Sequence, residues 1–124
     1  MKKIFLLAVI AIFTITVQAQ NEKYVAFMKK NITALDTSRS NEDLQNAANN
    51  FERIANAEKG EWLPNYYAGY SLVMKAYNVK DLKEVDPICD KADAFIAMAE
   101  SLSPNNSEIA TLKAMVLTAR MQVD

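Results

Sequence analysis

From Glu22 onward this 124-residue chain repeats apolar side chains at steps of three and four. That spacing keeps one face of an α-helix apolar, whereas a half-buried strand would alternate at steps of two. Little interrupts the pattern, since the only glycines are Gly60 and Gly69 and the only prolines are Pro64, Pro87 and Pro104. No Asn-Gly or Asp-Gly pair is present to turn a hairpin. The chain is therefore expected to be all-α, with no sheet.

The spacing predicts five helices. The first, from about Glu22 to Leu35, sets Val25, Met28, Ile32 and Leu35 on one stripe. A polar loop follows, and Ser40 or Asn41 can cap the second helix, with Glu42 and Asp43 at its positive end. That helix carries Leu44, Ala47, Ala48, Phe51, Ile54 and Ala55 on one face and is expected to stop at Gly60. The third runs from about Leu63 to Tyr77, with Pro64 in a first turn that has no donor to lose. The fourth is expected to take Asp86 as its cap and Pro87 as its first residue, aligning Ile88, Ala92, Phe95, Ala99 and Leu102. A Pro-containing turn at residues 103–106 leads to the fifth, marked by Ile109, Leu112, Val116, Ala119 and Val123.

The amino terminus has a different pattern. Lys2 and Lys3 precede an apolar run from Ile4 to Val17, and Val17 and Ala19 stand three and one residues before Gln20. This is the composition of a cleavable secretory signal over residues 1–19, and the run is shorter than the roughly 20 apolar residues a membrane-spanning helix needs. No cysteine stands at the cut site to take a lipid. The mature chain is thus expected to be periplasmic or secreted, with no membrane span. Cleavage removes Lys2 and Lys3 but no acid, so the 14 basic residues become 12 against 15 acidic ones, a net charge of −3. No basic cluster points to nucleic acid or to an anionic membrane surface. Residues 20–124 suffice for one domain with one core.

Exported domains of this size often rely on disulfides, but Cys89 is the only cysteine and the chain has no histidine. Packing must supply the stability. The usual general base and the commonest zinc ligand are both missing. No constellation with catalytic spacing appears, so neither an enzyme nor a metal or cofactor site is expected. Asp81, Glu84, Asp86, Asp90 and Asp93 lack the spacing of a calcium loop and read as caps and solvated surface. Cys89 reads as a buried, inert thiol, with pairing to another chain as the rival. Trp62 precedes Pro64 in a turn and could anchor a partner at the surface or seal the end of the second helix pair. Asn31-Ile32-Thr33 and Asn105-Asn106-Ser107 match the glycosylation pattern, which is inert in the bacterial host this chain suggests.

A period lies beneath the helices. The stretch Ala92-x3-Ile96-x2-Ala99-x2-Leu102-x-Pro104-x-Asn106 resembles the second helix and exit turn of a tetratricopeptide repeat. Ala47-x3-Phe51-x2-Ile54-x2-Ala57 has the same spacing, with Lys59 in place of the proline. Counting on from each stretch, Ala68-Gly69 with Leu72, and Ala114 with Leu117, fall where that family sets its small residues and the following large one. Small residues at 69 and 114 would let helices lie close, and Phe51 and Ile96 would fill the space between pairs. The resemblance spans roughly residues 41–124, departing in a third-to-fourth helix connection about eleven residues longer than a standard repeat. The family's Trp, Leu and Tyr positions are mostly replaced.

The resemblance implies antiparallel helix pairs stacked as a short right-handed solenoid over residues 20–124. It also implies a peptide- or protein-binding groove lined by Tyr66, Tyr70, Val73, Thr111 and Met115. The residues themselves support interest there, because Tyr66, Tyr70 and Tyr77 form an aromatic stripe beside Met74, and tyrosine joins an apolar face to a polar tip. Packing in the core is the competing role for those rings. The leading expectation is an exported scaffold that binds a protein or peptide partner in the cell envelope. A self-associating structural protein is the alternative, and a small-ligand carrier or enzyme is less favoured. The fifth helix would be the first half of a repeat, so either the chain continues past Asp124 or that helix pairs with another chain, giving a homo-oligomer.

Overall fold

The computed structural model describes the backbone of residues 2–123 and the side chains of residues 20–123. The expected secretory leader, residues 1–19, lies outside the residues whose side chains are described. Five α-helices follow one another: α1 (Lys2–Thr37), α2 (Asn41–Ala57), α3 (Trp62–Asn78), α4 (Val85–Leu102) and α5 (Ser107–Arg120). A single 3-10 turn, Leu82–Glu84, precedes α4, and no strand occurs among the described residues. The fold class is all-α, as the periodicity requires.

Local chemistry fixes most of the helix ends. Ser40 begins α2 with a capping box, its hydroxyl accepting from the Asp43 amide at 3.0 Å while its own amide donates to the Asp43 carboxylate at 3.3 Å. Those bonds hold the Asp43 carboxyl below its ordinary range. The box is therefore intact above the carboxylate range and fails as pH falls through the lowered value. Asn106 caps α5, its side chain accepting from the amides of Glu108 at 2.9 Å and Ile109 at 3.4 Å. Asn105 just before it takes a left-handed backbone with φ of 59°, which asparagine tolerates better than most residues.

Three boundary expectations need correction. The second helix ends at Ala57 rather than at Gly60, because the Glu58 amide closes onto the Ile54 carbonyl at 2.8 Å. Gly60 has no positive φ and so provides no left-handed cap. The fourth helix starts at Val85 rather than Pro87, with Asp86 inside its first turn instead of capping it. Asp81 does the capping upstream, its carboxylate accepting from the Lys83 amide at 3.0 Å, and the 3-10 turn feeds straight into α4.

Each helix packs mainly on its neighbours in sequence, and α3 also lies against α5. Two apolar clusters result. One joins α1 and α2 to α3 through Met28, Leu35, Leu44, Phe51, Ile54 and Ala68. The other joins α3, α4 and α5 through Leu72, Val85, Ile96, Ile109, Leu112 and Val116. The half-buried rings of Tyr70 and Phe95 pack against both.

On α2 and α4 residues at matching positions are buried. Ala47, Phe51 and Ile54 are buried, and so are Ala92, Ile96 and Ala99, each separated from its counterpart by the same number of residues. Gly69 is buried against α4, where an added Cβ would stand 3.1 Å from Ile96 Cγ1 and 3.5 Å from the Ala92 carbonyl oxygen. Pro104 lies exposed in the turn between α4 and α5. Ala114 does not match, being exposed on α5 because no described helix covers that side. Val25 is 41% exposed, since α1 turns Tyr24, Met28, Ile32 and Leu35 towards α2 and α3 instead. Leu102 and Val123 are exposed as well, at or beyond the ends of their helices.

Candidate functional site

Helix α3 displays a row of aromatic rings one turn apart. Trp62 meets Tyr66 edge-on at 5.7 Å between centroids, and Tyr66 stacks on Tyr70 at 6.3 Å. Tyr67 lies edge-on to Tyr66 and stacks at 5.2 Å on Phe51 of α2. Trp62 packs half-buried against the second cluster beside Tyr66.

Helix α5 runs alongside. Gly69 faces Leu112, and the Tyr77 hydroxyl donates to the Met115 carbonyl at 2.8 Å. Burial and the neighbouring Glu108 carboxylate push the Tyr66 phenol up. Burial, Asp36 of α1 and Glu108 do the same for Tyr67. Both hydroxyls thus stay protonated and can donate hydrogen bonds at neutral pH, on a face edged by carboxylates from α1 and α5.

The five expected groove residues divide. Tyr66 and Tyr70 are half-buried on this face, Thr111 is exposed, and Met115 is half-buried beside Tyr77. Thr111 already donates its hydroxyl proton to the Ser107 carbonyl at 2.9 Å, so it offers an acceptor and a methyl group. Val73 is 0% exposed and belongs to the core, not to a groove. The reason is that α3 is covered on several sides at once, leaving its inward-facing residues no solvent side.

A second feature was missed in the sequence. Between α1 and α2 runs an open cleft of about 670 Å³, walled by Tyr24, Phe27 and Ile54 and edged by Lys23, Lys30 and Arg53. The seven-residue spacing of Lys23 and Lys30 around Phe27 puts both cations near the same side of α1. That spacing is the mark this wall of the cleft leaves in the sequence. Lys23 sits 5.6 Å from the centre of the Phe27 ring. The Tyr24 phenol is pushed up to about 12, first by burial and then by Glu61 and Glu58.

The acidic residues on α4 have a structural partner. Arg120 reaches Asp86 at 3.0 Å and both Asp90 and Asp93 at 2.8 Å, tying the end of α5 to α4. Among the described residues no group of three or more ligating side chains is placed to hold a metal ion. Cys89 is buried and free, and burial pushes its thiol up, so little reactive thiolate forms. Among the described residues no helix is long and apolar enough to cross a membrane. No protein-family model, curated protein or solved structure matches this chain.

Proposed function

We propose that this chain is an exported helical-repeat scaffold, delivered to the periplasm or beyond, that holds a peptide or protein segment along the face shared by α3 and α5. The observation that carries this reading is the aromatic row on α3, with Tyr66 left half-exposed beside Glu108 of α5. Stacked rings are rigid and lose little entropy on binding, while protonated phenols and flanking carboxylates fix a peptide's polar groups. The leader pattern at residues 1–19 supports export. No catalytic role is proposed, because no acid, base and nucleophile converge at this face.

Peptides selected from a randomised display library on the purified protein test the reading. Tyr66→Ala should weaken their binding by about tenfold or more while leaving helical circular dichroism unchanged. Affinity undiminished by Tyr66→Ala would refute it.

A second reading, self-association, is favoured by the outer face of α5. Leu117 is 66% exposed and Met121 73% exposed, in line with Ala110 and Ala114. On α3 the corresponding Gly69 and Leu72 are covered by α4. Two copies of α5 laid antiparallel about a two-fold axis would set Ala114 against Leu117 and Ala110 against Met121, small against large. Light scattering should then show a concentration-dependent dimer that Leu117→Glu abolishes. A monomer at every concentration would end this reading.

A further inference from the structure

The cleft between α1 and α2 has the character of a ligand site rather than of a packing defect. Its volume of about 670 Å³ lies in the range of small-molecule sites, roughly 300–1,000 Å³. Its walls are unlike the rest of the molecule. Lys23, Lys30 and Arg53 edge it, and the ion pairs among the described residues all involve other cations, Lys113 and Arg120. Arg53 donates only to the Asn50 side-chain carbonyl at 2.7 Å. Glu58 also lines the cleft, accepting from the Gln20 amide at 3.3 Å, and Glu61 stands near the Tyr24 phenol. Three cations against these two carboxylates still leave the cleft with a net positive charge, on a chain whose residues 20–124 carry a net negative one. Field lines from such a cleft draw in anions.

Between the cations lies apolar surface. Phe27 is 46% exposed, its ring lying beneath Lys23, with Tyr24 and Ile54 nearby in the same cleft. Lys23 and Lys30 are two helical turns apart, about 10.5 Å along α1. Arg53 stands on the facing helix. Cations around an apolar floor suit a molecule that carries its charge at one end and hydrocarbon along the rest.

The type of anion follows from what the walls lack. Around Lys30 and Arg53 both walls are mid-helix, where the backbone amides are already bonded within their helices. The amide cradle that favours phosphate at a helix start is therefore absent from them. A guanidinium, in contrast, matches a planar carboxylate with two parallel hydrogen bonds. We propose that the α1–α2 cleft binds a small amphipathic carboxylate, its head on Arg53 and Lys30 and its hydrocarbon body along Phe27, Tyr24 and Ile54. This site is separate from the α3–α5 face and does not depend on the function proposed there.

Isothermal titration of the purified full chain tests it with three probes: decanoate, decanol of the same chain length, and inorganic phosphate. Decanoate should bind one-to-one and saturably, decanol about tenfold or more weaker, and phosphate not measurably. Raising the salt concentration should weaken decanoate binding, as screening of exposed charges requires. The double variant Arg53→Gln/Lys30→Gln alters exposed or half-exposed side chains, so it should keep its helicity and lose decanoate binding by about tenfold or more. Tyr66→Ala should leave decanoate binding unchanged, which separates this site from the α3–α5 face. Equal binding of decanoate and decanol, or decanoate binding undiminished in the double variant, would overturn the proposal.

Discussion

Replacing Phe51 with alanine should lower the unfolding free energy by about 3–5 kcal/mol, the largest loss expected from any single truncation in this chain. Phe51 is 0% exposed, stacks on Tyr67 at 5.2 Å and sits in the cluster that joins α1 and α2 to α3. Its removal forfeits the transfer energy of a benzyl group and leaves a cavity between three helices that cannot all move inward together. A domain of this size has a total stability of about 5–15 kcal/mol, so the variant would be marginal. Urea titration followed by circular dichroism should show an earlier midpoint with an unchanged slope, and the melting temperature should fall by about 15–30 °C. A loss below about 1 kcal/mol would mean that α2 does not pack on α3 through this ring.

Gly69→Leu should destabilise the protein by about 3 kcal/mol, acting on the other cluster. Even a bare Cβ at this position would lie 3.1 Å from Ile96 Cγ1, 3.5 Å from the Ala92 carbonyl oxygen and 3.6 Å from Leu112 Cδ2. An isobutyl group has no room unless α4 moves off α3, and that shift would also loosen Ile96 and Leu112. Gly69→Ala sits near balance, because a helix propensity gain of about 1 kcal/mol opposes the crowding of Ile96. Gly60 provides the control, as a Cβ there meets nothing within 4 Å and its φ is not positive. Gly60→Ala should be neutral or should stabilise by about 0.4–1 kcal/mol, by narrowing the unfolded ensemble. Thermal melts of the three variants give the comparison. Tolerance of leucine at 69 would contradict the close approach of α3 and α4.

These two residues also show what could be read in the chain beforehand. Apolar spacing placed Phe51 on the inner face of its helix, and the repeat resemblance picked out Gly69 as a small residue at a helix crossing. Ser40 as a cap left a local mark in the sequence too. Val73 and Ala114, both placed by the repeat resemblance, differ from it for a common reason: matching positions show which residues share a helix face, but not how many neighbours that helix has. Helix α3 is enclosed on several sides, which buries Val73, while α5 is open on one, which leaves Ala114 exposed. The Val85 start of α4 was hidden because Asp86-Pro87 imitates a helix opening, whereas α4 continues from a 3-10 turn that Asp81 caps and has no side-chain cap of its own. The Lys23–Phe27–Lys30 spacing marks one wall of the α1–α2 cleft, but the cleft itself exists only between two helices whose relative placement the apolar stripes do not specify.

Packing of each helix on the helix before and the helix after it also sets how the chain reaches its fold. The contacts that must form lie close together in sequence, so little loop-closure entropy stands in the way. Folding on the order of microseconds to milliseconds is the regime of such low contact order. The unit α2–α3–α4 can form first and serve as a template, with α1 and α5 adding at either end. The same order run backwards lets the outer helices open and reclose while the centre stays folded, so amide exchange should grade outward from α3.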